Sequence, residues 1–329
     1  MAKIAILGTG AWGTALANIL LENNHHVYMW GVDSKEIDDL KQQRNTKYYK
    51  NNKLIKKPDM ASLNLTEILL QRPIFFIIAT PSIYIRETLI KLSKHLNYKA
   101  YFINVSKGLD PITNDIWSKT IKKILGNKNK GLVTLIGPSF AVETFRQQPT
   151  MINSVSVSIP LARMVSLLFN NNHFKCIEIK DEIGAEIIGA LKNVTAIGMG
   201  IAYQLHTSIN TRAAMLAQCT KEIGNLVTIY GGETKTITQF CGIGDIYLTC
   251  TDEKSRNFSF GKLVADVGIK KALEHNQKTI EGFYATKVIA KVIREKHINS
   301  PVFNEIFQVL FKNKSTSSFV KNIMKIIIE

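Results

Sequence analysis

Two apolar patterns follow one another along this chain, and the change between them near Asp181 divides it. Before that point short apolar runs, Lys3 to Leu7, Val27 to Trp30, Ile74 to Ala79, Tyr101 to Val105, Leu132 to Ile136, Met151 to Val157 and Phe174 to Ile179, alternate with stretches of helical period. That alternation predicts an α/β domain around a doubly wound, mainly parallel sheet, the last two strands being the candidates for antiparallel pairing. After Asp181 no convincing strand run remains, and apolar residues recur at helical spacing. The expected organisation is therefore an α/β domain over residues 1–181, then an all-α domain over 182–329 closing over the sheet edge.

The second domain opens on a segment, Ile183 to Leu205, in which nearly every residue is apolar or small, with Ile187, Leu191, Val194 and Gly198 at helical intervals. Such a helix is hydrophobic on most sides and belongs in a core. Lys192 and Asn193 lie in its middle. Burying an unpaired ammonium costs several kcal/mol, so Lys192 must meet a partner, reach water by snorkelling, or face a ligand cavity.

The amino-terminal strand runs directly into Gly8-Thr9-Gly10-Ala11-Trp12-Gly13 and then into a helical pattern from Thr14 to Leu21. Strand, glycine turn and helix in this order form a dinucleotide-binding fingerprint. Gly8 permits the tight turn, Gly10 admits a pyrophosphate to the backbone, and Gly13 lets the helix pack on the strand. Asp33, about 20 residues beyond Gly13 and just past the next strand, suits the ribose hydroxyls of NAD. It is also a candidate N-cap for the following helix, in competition with Ser34. Lys35 is close by, so NAD and NADP both stay open as cofactors.

Ligands bind such sheets at the carboxyl ends of the strands. Here those ends read Ala79-Thr80-Pro81-Ser82, Ser106-Lys107-Gly108 and Gly137-Pro138-Ser139-Phe140-Ala141, bringing a lysine, hydroxyls and turn formers to one edge. In the helical half, Asp245 and Thr249 stand one helical turn apart after Gly242-Ile243-Gly244. Ser255-Arg256-Asn257 then offers a fork of donors suited to a phosphate dianion. Asp245 as a helix cap and Arg256 as a surface ion pair are the plain alternatives for each taken alone.

The 329 residues carry a formal charge of +16 and are 45% hydrophobic. An anionic partner fits the charge, but the lysines are scattered among asparagines with no basic, aromatic-interleaved motif, so a small phosphorylated molecule is expected and nucleic acid is not. Cys176, Cys219, Cys241 and Cys250 show no metal-ligand spacing and read as reduced structural thiols. Without a leader-like start or a long apolar run, a cytoplasmic protein without stable membrane insertion is expected. The ending Phe319 to Ile328 is expected to pack on the body of the protein.

Taken together, Gly8-x-Gly10-x-x-Gly13, Ser106-Lys107-Gly108, Gly137-Pro138-Ser139-Phe140-Ala141, Gly189-Ala190-Leu191-Lys192-Asn193, Gly242-Ile243-Gly244-Asp245, Ser255-Arg256-Asn257 and Ile280-Glu281-Gly282 resemble the bacterial type of NAD(P)-dependent glycerol-3-phosphate dehydrogenase. The likeness spans almost the whole chain. It implies a Rossmann domain with a helical domain, interconverting dihydroxyacetone phosphate and sn-glycerol 3-phosphate and supplying the latter for phospholipid synthesis. By this resemblance Lys192 donates or accepts the proton at the substrate oxygen. Lys107, Gly137, Ser139, Asn193, Asp245, Thr249, Ser255, Arg256 and Asn257 fall on the substrate side. Gly8, Gly10, Ala11, Trp12, Gly13, Asp33, Lys107, Ala141, Arg256 and Glu281 fall on the cofactor side, with Gly137 also matching a backbone contact. No metal is implied, because nicotinamide carries the hydride.

The chain departs from that pattern at Ser208-Ile209-Asn210, at Ala217-Gln218-Cys219 and at Val32, a position often basic in the family. A homodimer is expected, as apolar helical domains of this sort often self-associate. Two other readings compete: a beta-hydroxyacid dehydrogenase of related architecture, and a non-catalytic dinucleotide-binding sensor. A phosphate clamp at Arg256 and Asn257 argues against the first, and tight NADH binding without oxidation in the presence of dihydroxyacetone phosphate would favour the second.

Overall fold

The computed structural model describes residues 1–276 and 280–328, with side chains as far as residue 325. Backbone contacts divide the chain into two units, Met1–Glu182 and Ile183–Glu329.

In the first unit the elements follow as β1 (Lys3–Leu7), α1 (Ala11–Glu22), β2 (His26–Trp30), α2 (Ser34–Lys41), α3 (Thr46–Tyr49), β3 (Met60–Ser62), α4 (Leu65–Leu70), β4 (Phe75–Ile78), α5 (Ile85–His95), β5 (Ala100–Asn104), α6 (Trp117–Leu125), β6 (Asn129–Ile136), α7 (Ala141–Phe145), β7 (Thr150–Val155), α8 (Ile159–Phe169) and β8 (Phe174–Ile179). The strands form one sheet in the order β3-β2-β1-β4-β5-β6-β7-β8. All pairs are parallel except β6 with β7; β8 runs parallel to β7. The last two strands thus reverse the direction of the first six, as the sequence pattern suggested. β3 escaped that pattern because it is only Met60-Ala61-Ser62, with no apolar run to mark it.

The strands read as continuous apolar runs because both faces of the sheet are covered. Side chains alternate between faces, so Ile4 and Ile6 of β1 enter one core while Ala5 and Leu7 enter the other. The first core packs beneath α1 through Leu16, Ile19 and Leu20, and the second beneath α5 and α6 through Leu89, Leu92, Trp117 and Ile121. Two right-handed halves diverge between β1 and β4, and this reversal of strand order opens a crevice at the strand carboxyl ends.

The second unit is helical: α9 (Glu182–Gln204), α10 (Ile209–Ile229), α11 (Asp245–Thr251), α12 (Arg256–His275, kinked at Gly268), α13 (Glu281–Glu295), α14 (Pro301–Phe311) and α15 (Phe319–Ile328). α9 is long and apolar enough to cross a membrane by composition, but its apolar stretch is buried and forms the core of this unit. It lies against α12 at backbone distance: a Cβ on Gly200 would stand 2.1 Å from Phe258 O, and one on Gly261 would stand 2.1 Å from Ile197 O. Neither position admits a side chain. Elsewhere α10 supplies Glu222, whose carboxylate accepts from Ser300 Oγ at 2.6 Å, Val302 N at 3.0 Å and Phe303 N at 3.2 Å, capping α14 from outside. Burial pushes this carboxyl above its ordinary pKa. α15 packs on the unit through Phe319 and Ile323, both buried.

Candidate active site

The first unit gathers its candidate residues at the crevice between β1 and β4. Gly8 adopts φ +122°, and a Cβ there would stand 2.6 Å from Ala79 O. A Cβ on Gly13 would meet Gly8 O at 2.2 Å, so these two glycines are required by the turn itself. Gly10 is different. A Cβ there would meet only Tyr48 Oη, at 4.0 Å. The fold does not need a glycine at Gly10, whereas a bound pyrophosphate does. Gly10 is also the N-cap of α1 and makes no side-chain capping bond, which leaves the first-turn N–H groups without a side-chain acceptor. These features fit a dinucleotide. Ala11 and Trp12 begin α1 here, and the half-buried Trp12 ring packs on the core.

Lys107 follows β5 and donates from Nζ to Gly137 O at 3.1 Å. Ser139 Oγ donates to the same carbonyl at 3.0 Å. The two strand ends are thereby tied, and Ala141 opens α7 immediately beyond. The contest between Asp33 and Ser34 resolves for Asp33, which caps α2 by accepting from Lys35 N at 3.0 Å and Glu36 N at 3.2 Å. Its other oxygen accepts from Lys47 Nζ at 3.0 Å. That hydrogen bond holds the Asp33 carboxyl below its ordinary pKa.

Segment 45–49 was silent in the sequence. Asn45 Nδ2 donates to Thr9 O at 2.8 Å and Thr14 Oγ1 at 2.9 Å, and the Tyr49 hydroxyl donates to Ala11 O. This polar stretch therefore braces the glycine turn. Its residue types, Asn-Thr-Lys-Tyr-Tyr, carry no recognisable period or spacing, so only coordinates expose it.

In the second unit, Lys192 is 3% exposed and Asp245 fully buried. Lys192 Nζ donates to Asp245 Oδ1 at 2.7 Å and to Thr249 Oγ1 at 2.8 Å. Thr249 in turn donates to Asp245 O at 2.6 Å. The lysine thus meets a partner; it does not snorkel. Asp245 starts α11, so the carboxylate sits at a helix N-terminus, where the backbone dipole favours its charge.

The N-termini of α12 and α13 converge beside the same turn of α9. Asn193 Nδ2 donates to Glu281 Oε2 at 3.3 Å. Gly282 N donates to Asn257 Oδ1 at 2.9 Å, and a Cβ on Gly282 would lie 2.4 Å from Asn193 O. Because Oδ1 of Asn257 is committed to a backbone N–H, its Nδ2 is the edge left for another acceptor. Ser255 Oγ accepts from Phe258 N at 3.3 Å as the N-cap of α12, so this triplet opens a helix. Arg256 at the first position of α12 is exposed and makes no hydrogen bond or ion pair among the described residues. Two helix N-termini, an uncommitted guanidinium and an amide donor are groups that can hold an anion. Among the described residues no cluster of His, Cys, Asp and Glu is arranged to hold a metal.

Known proteins carry the same pattern end to end. The model of the NAD-dependent glycerol-3-phosphate dehydrogenase N-terminus matches residues 3–159, and that of its C-terminus matches residues 181–321. The glycerol-3-phosphate dehydrogenase [NAD(P)+] of Malacoplasma penetrans is 38% identical over 98% of this chain and 96% of its own. The chain belongs to the glycerol-3-phosphate dehydrogenase family. The Mycoplasma mobile glycerol-3-phosphate dehydrogenase [NAD(P)+] is 37% identical over 98% of this chain and 96% of its own length. Among solved structures, the glycerol-3-phosphate dehydrogenase of Coxiella burnetii superposes with a TM-score of 0.89 at 28% identity, over 98% of this chain and 99% of that one. Membership of the glycerol-3-phosphate dehydrogenase family does not favour the beta-hydroxyacid dehydrogenase or the sensor.

Of the departures from the family pattern, Ser208-Ile209-Asn210 and Ala217-Gln218-Cys219 lie at the start of and within α10 and serve local structure, while Val32 is exposed between β2 and α2. Ser208 is its N-cap, accepting from Thr211 N at 3.1 Å, while Gln218 Nε2 donates to Glu222 Oε1 at 3.0 Å. Arg212 donates to Thr207 O and lies over the Tyr203 ring.

Proposed function

We propose that this chain interconverts dihydroxyacetone phosphate and sn-glycerol 3-phosphate with NAD(H) or NADP(H), and so supplies glycerol 3-phosphate for phospholipid synthesis. The observation that carries the reading is the buried Lys192–Asp245–Thr249 cluster beside an anion site, in a chain of this family. Gly8, Gly10, Ala11, Trp12, Gly13, Asp33 and Ala141 hold the dinucleotide in the first unit. When bound, that dinucleotide supplies or accepts the hydride.

Ketone reduction also needs a proton at the oxygen. The Lys192 ammonium stabilises the developing alkoxide and delivers that proton; in the reverse direction the amine receives it. Asp245 and Thr249 hold Nζ in one place, since its two hydrogen bonds fix the rotamer in a dry setting. Arg256 and Asn257, supported by Ser255, grip the phosphate remote from the reacting carbon, turning binding energy into orientation. Asn193 and Glu281 set the edge of that clamp, with Glu281 also on the cofactor side together with Arg256. Lys107 and Gly137 contribute to both ligands from the strand ends, and Ser139 to the substrate.

The proposal extends to a cytoplasmic homodimer that neither binds nucleic acid nor inserts stably in membranes. Four buried free thiols suit a reducing compartment, and the exposed Ile209, Ile229 and Met324 offer apolar surface for a second copy. A substrate panel tests the function. Dihydroxyacetone phosphate should be reduced with NADH far faster than dihydroxyacetone, and Arg256→Met should raise KM for the phosphate ester by about a hundredfold. Equal rates on both ketones would contradict the clamp.

A further inference from the structure

Segment 45–49 does more than brace the turn: it delivers a cation to the carboxyl end of β2. Lys47 Nζ lies 3.0 Å from Asp33 Oδ2 and 2.6 Å from Glu36 Oε1. The two carboxylates are not equivalent. Glu36 is 7% exposed and is also held by the Thr9 hydroxyl and, at 3.2 Å, by Tyr48 Oη. Asp33 is 39% exposed and Lys47 51% exposed, so this second contact is solvated and exchangeable. Glu36 is the fixed anchor and Asp33 the labile partner.

A carboxylate at the end of the second strand favours the free ribose hydroxyls of NAD and repels the 2′-phosphate of NADP. With Lys47 beside it, Asp33 no longer presents a bare negative charge. We propose that Lys47 is the 2′-phosphate ligand of this chain: its ammonium stays on Glu36, leaves Asp33 when a 2′-phosphate arrives, and returns to Asp33 otherwise. Lys35 lies on the first turn of α2, with its backbone N–H donating to Asp33 Oδ1. The pocket then takes either dinucleotide without an arginine after the strand. This rests on the reading that the first unit binds a nicotinamide dinucleotide.

The test is a set of binding titrations with the full chain, using NADH, NADPH and 2′,5′-ADP as probes and no ketone. Lys47→Met should weaken NADPH and 2′,5′-ADP about tenfold, move NADH by no more than about twofold, and flatten the salt dependence of NADPH binding. Lys47→Arg should restore NADPH, and Asp33→Asn should shift the ratio toward NADPH. Equal weakening of both dinucleotides in Lys47→Met would make Lys47 a structural brace and overturn the proposal, as would an unmoved NADPH constant. Wild-type protein that binds neither dinucleotide would overturn the parent reading as well, and is thereby told apart from failure at Lys47 alone.

Discussion

Lys192 Nζ lies 2.7 Å from Asp245 Oδ1, with 4% of the lysine side chain and none of the aspartate side chain exposed to solvent. Desolvating two charges is costly, and their mutual contact and the added Thr249 hydrogen bond offset part of that cost. An apolar pair of the same volume would fold at least as well. In the proposed reaction the pair serves the amine's role, with Asp245 holding Nζ in place.

Removing the counter-charge alone should be severe. Asp245→Asn leaves a buried ammonium facing a neutral amide and should cost about 3–5 kcal/mol in urea unfolding. Adding Lys192→Met should restore a substantial part of that loss, because the stranded charge is gone. A double-mutant cycle measures the coupling, and strict additivity would contradict an ion pair at this site.

Gly10 and Gly13 should separate binding from folding. Gly13→Ala drives a Cβ into Gly8 O at 2.2 Å and should lower thermal stability sharply. Gly10→Ala meets nothing nearer than Tyr48 Oη at 4.0 Å, so Tm should hold while NADH affinity collapses. A Gly10→Ala protein that binds NADH normally would remove this turn from the cofactor site.

The loop following Lys107 should confer a pH dependence. Asp110 is fully buried there; burial raises its pKa, but bonds from Arg86, Thr113, Thr120 and Ile112 N outweigh it and hold the carboxyl well below its ordinary value of 3.8. A depressed folded pKa means a stabilisation fully present above the unfolded value and lost as pH falls from there toward the folded one. Asp110→Asn should thus be less stable than wild type by about 3 kcal/mol at neutral pH. The gap should narrow below about pH 4, as read by denaturant unfolding across pH. A gap independent of pH would show that the carboxylate charge is not what matters.

Much of this architecture was legible because its causes are local. The apolar runs become strands since a doubly covered sheet needs them, and a glycine turn between β1 and α1 is forced by the 2.2 Å approach at Gly13. Lys192 announced itself as an anomaly in an oily helix. What stayed hidden depends on contacts distant in sequence. β3 is too short to show a period, and Asn45, Lys47 and Tyr49 act through bonds to residues far upstream. Likewise the meeting of the α12 and α13 N-termini at Asn193 is set by packing around Gly282, which no spacing along the chain encodes.

In the proposed reaction the Lys192 amine carries the proton. Single-turnover reduction of dihydroxyacetone phosphate by pre-bound NADH, compared between wild type and Lys192→Ala, tests it most directly. The rate should fall by about 10²- to 10⁴-fold while the Kd for NADH stays within about twofold. A Lys192→Ala protein that turns over at the wild-type rate would contradict it.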